Sequence, residues 1–358
     1  MVHRVFDAPK GRGATINPQG RFERQMRESI ADGWDTPPDE ELPKLDTTVT
    51  EEIAKSIIAR NDSPDVGFNQ SINPYRGCEH GCVYCYARPT HAYLNLSPGL
   101  DFETKLFAKV NAAQLLRAEL GHPNYRCEVI ALGANTDPYQ PIERELRITR
   151  QVLEVLAECD HPLGIATKSS MVERDLDLLT PMAQRRLASV HVSITTLDHE
   201  LARRLEPRAT APQRRLQTIK KLSDADVPCG VLVAPVIPFL TDSTVEQVLE
   251  AAREAGATMA GYVLLRLPYE VKDLFKAWLE QYYPLKASHV MSRVRQMRGG
   301  KEYDSEFGRR MRGEGEFADL LAQRFKLACQ RLGFNSNRKA LDTSRFRPPQ
   351  RDSRMNLF

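Results

Sequence analysis

One stretch decides the fold and the chemistry of this chain, Asn73-Pro-Tyr-Arg-Gly-Cys78-Glu-His-Gly-Cys82-Val-Tyr-Cys85-Tyr-Ala-Arg88. Its three cysteines stand at spacings of four and three residues. Residues 68–74, just before them, have the composition of a short strand, which predicts that the cysteines lie in the loop that follows it. In a parallel α/β sheet, the carboxyl ends of the strands are where ligands bind. Gly77 and Gly81 permit the tight turns that would let one short loop wrap around a ligand.

The sequence beyond the cysteines alternates between strand and helix signals. Short β-branched, nearly continuous apolar runs occupy residues 128–132, 163–167, 189–194, 230–234 and 261–265, with amphipathic helical patterns between them. Such runs are typical of strands buried on both faces of a parallel sheet. Together with residues 68–74 they make six β/α units, fewer than the eight of a closed barrel. We therefore predict an α/β fold, a partial (β/α)6 parallel barrel, over residues 67–284.

The segments that flank this core differ from it in composition. Residues 1–66 are rich in Gly, Pro and charge, which predicts a largely extended N-terminal arm with a short helical pattern only at residues 51–60. Residues 285–358 form a basic C-terminal extension: residues 286–358 hold 17 basic and 8 acidic residues, against 33 and 39 in the rest. The formal net charge of +3 therefore hides an acidic body and a basic tail. A basic tail on an acidic body is compatible with an anionic partner such as nucleic acid.

Composition also bounds the class of protein. No apolar run approaches the roughly 20 residues that span a bilayer, and the first residues do not resemble a signal peptide. Seven cysteines are an odd number and few for 358 residues, which argues against a disulfide framework. We expect a cytoplasmic protein with no membrane partner; the sequence does not indicate an oligomeric state.

Three hypotheses explain the cysteines. A structural zinc site would need a fourth ligand, His80 or His91, but no second Cys or His pair follows at zinc-finger spacing. A redox dithiol of Cys82 and Cys85 would leave Cys78 unexplained. An iron–sulfur cluster with three protein ligands would leave one iron open for a cofactor. We favour the third hypothesis.

The stretch resembles the signature of the radical S-adenosylmethionine superfamily, in which an aromatic residue, here Tyr84, precedes the last of three cysteines at this spacing. The flanking residues are similar to the spore photoproduct lyase-like branch, with its many uncharacterised bacterial members, and the resemblance covers residues 68–283. It implies a [4Fe–4S] cluster on Cys78, Cys82 and Cys85, whose open iron chelates S-adenosylmethionine. It also implies reductive cleavage to methionine and a 5′-deoxyadenosyl radical, which abstracts hydrogen from an unknown substrate. Such an enzyme takes its electron from a donor such as flavodoxin or ferredoxin.

The same resemblance implies that further cofactor contacts lie at the ends of later strands. Thr136 and Asp137 stand where the superfamily binds the amino group of the cofactor, although this chain lacks the usual Gly-Gly-Glu pattern. The alternative is that they cap the next helix. Lys168 can pair with the cofactor carboxylate, or it can be a solvated surface lysine.

Three more polar residues follow on the same reasoning. Ser193 and Thr195 stand where the family contacts the ribose, but buried hydroxyl groups often satisfy backbone groups instead. Arg208 can reach the carboxylate or an anionic substrate, or it can form an ordinary surface ion pair. Residues 234–239 stand where the family seats the adenine.

The other four cysteines bear on the substrate. Spore photoproduct lyase uses a cysteine near its radical site as a hydrogen donor. Cys127, Cys159 and Cys229 should lie at the far end of the barrel, about 20 Å from the rim, and Cys329 lies in the tail. We interpret all four as small buried hydrophobes. The resemblance thus supports shared cofactor chemistry and not a shared substrate.

A second hypothesis is a nucleic-acid-binding or DNA-repair-type protein, with a lyase-like iron–sulfur cluster or with a purely structural cluster or zinc. Its support is the arginine-rich tail with interspersed phenylalanines, among them Phe307, Phe317, Phe325, Phe334 and Phe346. The alternative, which we favour, is that these aromatic residues pack the tail over the open side of the barrel.

Overall fold

The computed structural model describes residues 11–23, 45–337 and 339–350. The strands in these ranges are β1 Thr48–Glu52, β2 Ile58–Arg60, β3 Gln70–Ile72, β4 Tyr75–Arg76, β5 Lys105–Lys109, β6 Ile130–Leu132, β7 Leu163–Thr167, β8 Ala188–Ser193, β9 Cys229–Val236 and β10 Met259–Leu264. The α-helices are α1 Asp101–Thr104, α2 Ala112–Leu120, α3 Glu143–Leu146, α4 Ile148–Glu158, α5 Leu176–Gln184, α6 His199–Leu205, α7 Pro212–Asp224, α8 Val245–Glu254, α9 Val271–Tyr282, α10 Pro284–Gln296 and α11 Glu316–Leu332. Short 3-10 helices occupy Arg88–Leu94, Ser170–Asp175, Asp242–Thr244 and Thr343–Arg345.

Six parallel strands build the main sheet, in the spatial order β10-β9-β8-β7-β6-β3, with β2 antiparallel at the β3 edge. Neighbouring parallel strands follow one another along the chain and are joined by helical crossovers. The predicted α/β class and the partial barrel of six β/α units are therefore confirmed. The carboxyl ends of all six strands meet at one rim, which gives the site its place.

Apolar burial explains why these segments form strands and helices. On the central strands, Ile165, Val190 and Val231 have at most 1% of their surface exposed. On α4, the buried Val152, Leu153 and Leu156 repeat at helical spacing and turn that face of the helix inward. Each such side chain contributes roughly 1.5–3 kcal/mol by leaving water.

The prediction of a short helix at residues 51–60 is wrong, because β1 and β2 occupy that region. β1 pairs in parallel with β5, 57 positions later in the register Thr48 to Lys105, and β4 completes this small sheet. β2 joins the main sheet, and the N–H groups of Ile57 and Ile58 donate to the Glu119 carboxylate (N to Oε1 2.7 Å, N to Oε2 3.0 Å). Distant pairing and burial of Ile57 override the local helical pattern.

The C-terminal extension packs on the barrel and covers its free edge at β10. The Asn335 side chain exchanges two hydrogen bonds with the backbone of Ala260 (N to Oδ1 3.1 Å, Nδ2 to O 3.0 Å), and the N–H of Leu264 donates to the carbonyl of Met311 (2.9 Å). α11 packs along α8, where Arg324 forms a two-point ion pair with Glu246. Covering an edge strand in this way removes a site for unwanted strand pairing.

The extension also links the two outer strands of the main sheet. Arg310, next to Met311 on the β10 side, makes a two-point ion pair with Asp65 in the loop between β2 and β3. Further along, the Phe346 ring packs against the rings of Tyr125 and His161 (centroids 5.4 and 5.2 Å). The expected packing of the tail aromatic residues is therefore seen for Phe317, Phe325, Phe334 and Phe346, whereas Phe307 is 51% exposed. Within the described ranges, no helix is both long and apolar enough to cross a bilayer.

Candidate iron–sulfur and cofactor site

The three cysteines lie just after β4, in the connection that leaves the carboxyl end of β3, at the rim of the main sheet. Cys78 and Cys82 are buried, Cys85 is half-buried, and all three are free thiols. Burial raises the pKa of Cys82 to about 12, with further contributions from Glu206 and Cys85 and opposition from Lys168. Burial and the charges of Asp137, Cys82 and Cys85 raise the pKa of Cys78. These cysteines lie close enough that the negative charge of one raises the pKa of another. Binding iron as thiolates would relieve this repulsion, because the metal carries positive charge.

Two glycines give this loop its path. Gly77 and Gly81 adopt φ values of +76° and +67°, which L side chains rarely adopt. A Cβ on Gly81 would lie 2.7 Å from Glu103 Oε2, and one on Gly77 would lie 2.7 Å from Leu106 Cδ2. Both positions therefore require glycine for conformation and for space.

Arg88 fixes the loop from inside. Its guanidinium group is fully buried and donates to the carbonyl oxygens of Cys82 (Nε, 2.9 Å) and Gly81 (Nη2, 3.1 Å). It also forms an ion pair with Glu103, which is equally buried. Arg88 belongs to the Cys-Tyr-x-Arg sequence that begins at the last cysteine. Only the structure shows that its side chain anchors the loop.

The described part of the N-terminal arm touches the same loop. The N–H groups of Gly13 and Ala14 donate to the Glu103 carboxylate (N to Oε2 2.9 Å, N to Oε1 2.8 Å). A Cβ on Gly13 would lie 1.7 Å from the carbonyl oxygen of Gly81. The arm therefore lies backbone against backbone on the cysteine loop, a contact that the sequence does not suggest.

This donor set fits an iron–sulfur cluster. Clusters are held by thiolates, each bound to its own iron, and three thiolates on one loop leave one iron free. Within the described residues, no three His, Cys, Asp or Glu side chains converge closely enough to hold a single metal ion. A cluster does not require such convergence, because its ligands surround a volume instead of a point.

Tyr84 and Thr195 belong to a buried network centred on Glu206. The Tyr84 hydroxyl donates to Glu206 Oε1, as does the Thr195 hydroxyl (2.6 Å), and Arg215 pairs with the other oxygen. Burial would raise the pKa of Glu206, but Arg215 and Lys168 prevail and lower it to about 2. The network therefore holds an ionised carboxylate beside the cysteine loop, and neither Glu206 nor Arg215 was among the predicted site residues.

The predicted hydroxyl contacts are engaged with backbone. Ser193 Oγ and Thr195 Oγ1 both lie within hydrogen-bond distance of the Ala234 carbonyl (3.2 and 3.1 Å), and Thr136 Oγ1 donates to the Tyr75 carbonyl (2.8 Å). For Ser193 and Thr195 these contacts match the alternative in which buried hydroxyl groups satisfy backbone acceptors. The capping alternative for Thr136 and Asp137 is not seen, because the next helix, α3, has Ile142 at its N-cap and no side-chain cap. The contact of these hydroxyl groups with a cofactor stays a prediction.

Asp137 joins three segments of the rim. Its carboxylate accepts from the N–H of Lys168 (2.7 Å) and the hydroxyl of Thr167 (2.7 Å), and its Oδ2 lies 3.3 Å from Nδ1 of His80. It also accepts from the N–H of Tyr139 (2.9 Å). Burial would raise the pKa of Asp137, but His80 and these donors lower it to about 2. Asp137 thus fixes the end of β7 to the cysteine loop, and its contact with a cofactor stays a prediction.

Lys168 and Arg208 present positive charge on two sides of the loop. The ammonium group of Lys168 lies 5.9 Å from the centroid of the Tyr84 ring. Burial would lower the pKa of Lys168, but Cys82 and Glu206 outweigh it and raise the pKa. Arg208 forms an ion pair with Glu79 (Nη2 to Oε1 3.0 Å), but Glu79 is buried, so this is not the surface pair of the alternative. The Nε of Arg208 is buried without a hydrogen-bond partner among the described residues.

The four other cysteines lie away from this rim. Cys229 begins β9 and Cys127 precedes β6, which puts both at the amino ends of parallel strands. Cys159 follows α4, and Cys329 lies within α11. Burial raises the pKa of Cys229 to about 12, as for an inert thiol.

Comparison with known proteins gives the site its class. The family model of the radical SAM superfamily matches residues 72–252. An uncharacterised protein of Mycobacterium tuberculosis is 40% identical over 261 residues, which span 71% of this chain and 75% of that protein. An uncharacterised protein of Methanocaldococcus jannaschii is 29% identical over 220 residues, 61% of this chain and 78% of that protein. The chain therefore belongs to the radical S-adenosylmethionine superfamily, whose members work with an iron–sulfur cluster and S-adenosylmethionine.

Within the superfamily, the fold is similar to that of spore photoproduct lyase. The structure of that enzyme complexed with dinucleoside spore photoproduct aligns with a TM-score of 0.58 at 15% identity, covering 80% of each chain. At this identity the likeness concerns the fold alone. The chain is thus a radical S-adenosylmethionine enzyme of unknown substrate.

Proposed function

We propose that the enzyme binds a [4Fe–4S] cluster through Cys78, Cys82 and Cys85 and uses it to cleave S-adenosylmethionine reductively. When bound and reduced, the cluster supplies the electron that splits the cofactor into methionine and a 5′-deoxyadenosyl radical, which abstracts a hydrogen atom from substrate. The observation that carries this proposal is the set of three free thiols in one loop at the rim of the partial barrel. The cofactor-binding roles that follow are part of the proposal.

The residues around the loop suit a zwitterionic cofactor. Lys168 is a charged ammonium group beside Cys82 and has no ion pair among the described residues, so it can receive the carboxylate of the cofactor. Arg208 is the second candidate for that carboxylate, since its Nε is buried and unpaired. Thr136 and Asp137 flank the loop on the β6 side, and Tyr84 packs beneath Lys168.

The proposal is tested by anaerobic reconstitution with iron and sulfide, followed by dithionite and S-adenosylmethionine. We expect stoichiometric iron and sulfide, and 5′-deoxyadenosine as a product in liquid chromatography with mass spectrometry. Cys78→Ala, Cys82→Ala and Cys85→Ala should each abolish cluster assembly. Cys127→Ala, at the other end of the barrel, is the matched control and should retain both readouts. A wild-type protein with a full cluster and no 5′-deoxyadenosine would sink the proposal.

The electron donor and the location follow from the proposed reaction. Cleavage consumes one electron per cofactor, so a low-potential carrier such as flavodoxin or ferredoxin is the proposed partner. Replacing dithionite with reduced flavodoxin should sustain product formation. A cytoplasmic location is supported by the seven free cysteines, since thiols persist in reducing compartments.

Nucleic-acid binding through residues 285–358 has less support. Its arginines Arg310, Arg324 and Arg331 pair with carboxylates of the barrel, and Phe325 and Phe334 are buried. Cations and aromatic rings used in this way are not presented to a nucleic acid strand. The described contacts favour a structural role for the extension.

A further inference from the structure

Positive charge at the rim exceeds the negative charge available to balance it. The buried carboxylates nearest the cysteine loop are Glu79, Glu103, Asp137 and Glu206, and three of them pair with Arg208, Arg88 and Arg215. Three other cations, Lys168, Arg266 and Arg298, form no ion pair with any of the described residues.

Arg266 is the one that stands open to a ligand. It follows β10 at the rim, is half-buried, and its guanidinium carbon lies 5.0 Å from the centroid of the Tyr86 ring. Its Nη1 donates to a weak acceptor, the sulfur of Met311 (3.4 Å), and its Nε is buried without a hydrogen-bond partner in the described parts of the chain. Guanidinium groups rarely stay so poorly satisfied, because each carries five donors.

Arg298 adds to the imbalance. It is 2% exposed and donates to the carbonyls of Arg309 (2.7 Å) and Leu265 (2.9 Å), the latter just before Arg266 in the chain. Burial and the neighbouring charge of Arg266 lower the pKa of Arg298, and the charges of Asp304, Tyr303 and Glu314 oppose this in part. Asp304 and Glu314 therefore offset part of the charge of Arg298, whereas Arg266 forms no ion pair with any of the described residues.

Tyr86 connects these cations with the cysteine loop. It directly follows Cys85, its side chain is 44% exposed, and it lies within electrostatic range of Arg266, Lys168 and Arg310. Of these three, Arg310 is balanced by Asp65. An anion held over Tyr86 by Arg266 would therefore sit next to the cysteine loop.

The proposed cofactors do not remove the excess. A [4Fe–4S] cluster on three thiolates carries one net negative charge, and S-adenosylmethionine carries one net positive charge, so together they are neutral. If the carboxylate of the cofactor pairs with Lys168, the charge of Arg266 remains unpaired, and that of Arg298 is offset only in part by Asp304 and Glu314. A phosphate monoester carries about −1.5 to −2 charges at neutral pH, which matches two guanidinium groups better than a single carboxylate does. The planar fork of arginine also suits phosphate oxygens.

We propose that the substrate of this enzyme carries a phosphate group, and that Arg266 binds that group at the rim. Arg298 contributes positive potential from beneath. This inference rests on the proposed function, because it assigns a substrate class to the same site. A small phosphate ester and the backbone of a nucleic acid are two sources of the same chemistry.

The test measures binding to the reconstituted holoenzyme with S-adenosylmethionine, without reductant, by isothermal titration calorimetry. The probes are inorganic phosphate, thymidine 5′-monophosphate, a short single-stranded oligonucleotide and acetate. We expect one saturable phosphate site per chain that acetate does not occupy. Arg266→Gln should weaken phosphate binding by at least about tenfold, as expected for the loss of a charge-assisted hydrogen bond. Arg331→Gln, an equal change of charge on the exposed face of α11, should bind like the wild type.

Equal binding by Arg266→Gln and the wild type would overturn the proposal, as would failure of phosphate to saturate or equal binding of acetate. Arg266→Lys keeps the charge but loses the fork, so it should fall between the wild type and Arg266→Gln, and it tests the site if Arg266→Gln fails to fold. Tighter Arg266-dependent binding of the mononucleotide would identify a small phosphate ester, and tighter binding of the oligonucleotide a phosphodiester. Binding needs no cofactor cleavage. Phosphate binding without 5′-deoxyadenosine formation would therefore contradict only the proposed reaction. Formation of 5′-deoxyadenosine without phosphate binding would contradict only the proposed phosphate site.

Discussion

Loss of Arg88 should disturb the cysteine loop much more than the rest of the barrel. Its guanidinium group donates to the carbonyls of Gly81, Cys82, Pro98 and Gly99 and pairs with Glu103, all in the interior. Arg88→Met keeps most of the side-chain volume but leaves the Glu103 carboxylate with the N–H groups of the arm alone. Removing one partner of a buried ion pair costs about 3–5 kcal/mol.

That cost corresponds to a fall in Tm of roughly 6–10 °C, at about 2 °C per kcal/mol for a chain of this size. Differential scanning calorimetry of the cluster-free protein measures it. Reconstituted Arg88→Met should also hold less iron per chain, because Gly81 and Cys82 lose their anchor. The double variant Arg88→Met with Glu103→Gln should recover part of the loss, since no uncompensated charge is then buried.

The matched control is Arg331→Met, whose side chain is 62% exposed and pairs with Glu250 on the surface. It should change stability by no more than about 0.5 kcal/mol. If Arg88→Met melted within about 1–2 °C of this control, the buried pair would not anchor the loop. An unchanged iron content would contradict the link to the cysteines.

Two further predictions concern the base of the barrel and the tail. Burial lowers the pKa of His161 to about 4, and its Nε2 lies 2.7 Å from the Tyr125 hydroxyl. The folded state thus binds fewer protons than the unfolded chain, so stability should fall by up to about 3 kcal/mol as pH drops from about 6.5 to 4. Urea unfolding of the cluster-free protein across this range checks it, and an equally steep loss in His161→Gln would contradict it. Asp65→Asn removes the two-point pair with Arg310 and should cost about 1–3 kcal/mol. Limited proteolysis should then cut the segment around residue 308 sooner than in the control Asp62→Asn, which changes an exposed aspartate of the same loop. Equal cleavage rates would contradict the stabilising role of the ion pair.

The barrel was predictable because its strands are continuous apolar runs. The prediction of residues 163–167 coincides with β7, since Leu163 and Ile165 sit in the core and flanking polar residues mark the ends. The position of the cysteine loop was equally predictable, because it follows a strand whose carboxyl end must lie at the rim.

Features that depend on distant partners were not predictable. β1 pairs with β5 far along the chain, so the local helical pattern at residues 51–60 misled. The hydroxyl of Ser193 faces the carbonyl of Ala234 on the neighbouring strand, and a single sequence does not distinguish that contact from a ribose contact. Arg266 and Arg298 become conspicuous only when the fold shows that no described carboxylate pairs with them.

The central claim is that the three cysteines hold a cluster that cleaves S-adenosylmethionine. The most direct measurement is the yield of 5′-deoxyadenosine and methionine from anaerobically reconstituted protein after addition of dithionite. We predict both products in equal amounts from the wild type and from Cys127→Ala, and neither from Cys82→Ala. A wild-type protein that carries about four iron atoms per chain and yields no 5′-deoxyadenosine would contradict the claim.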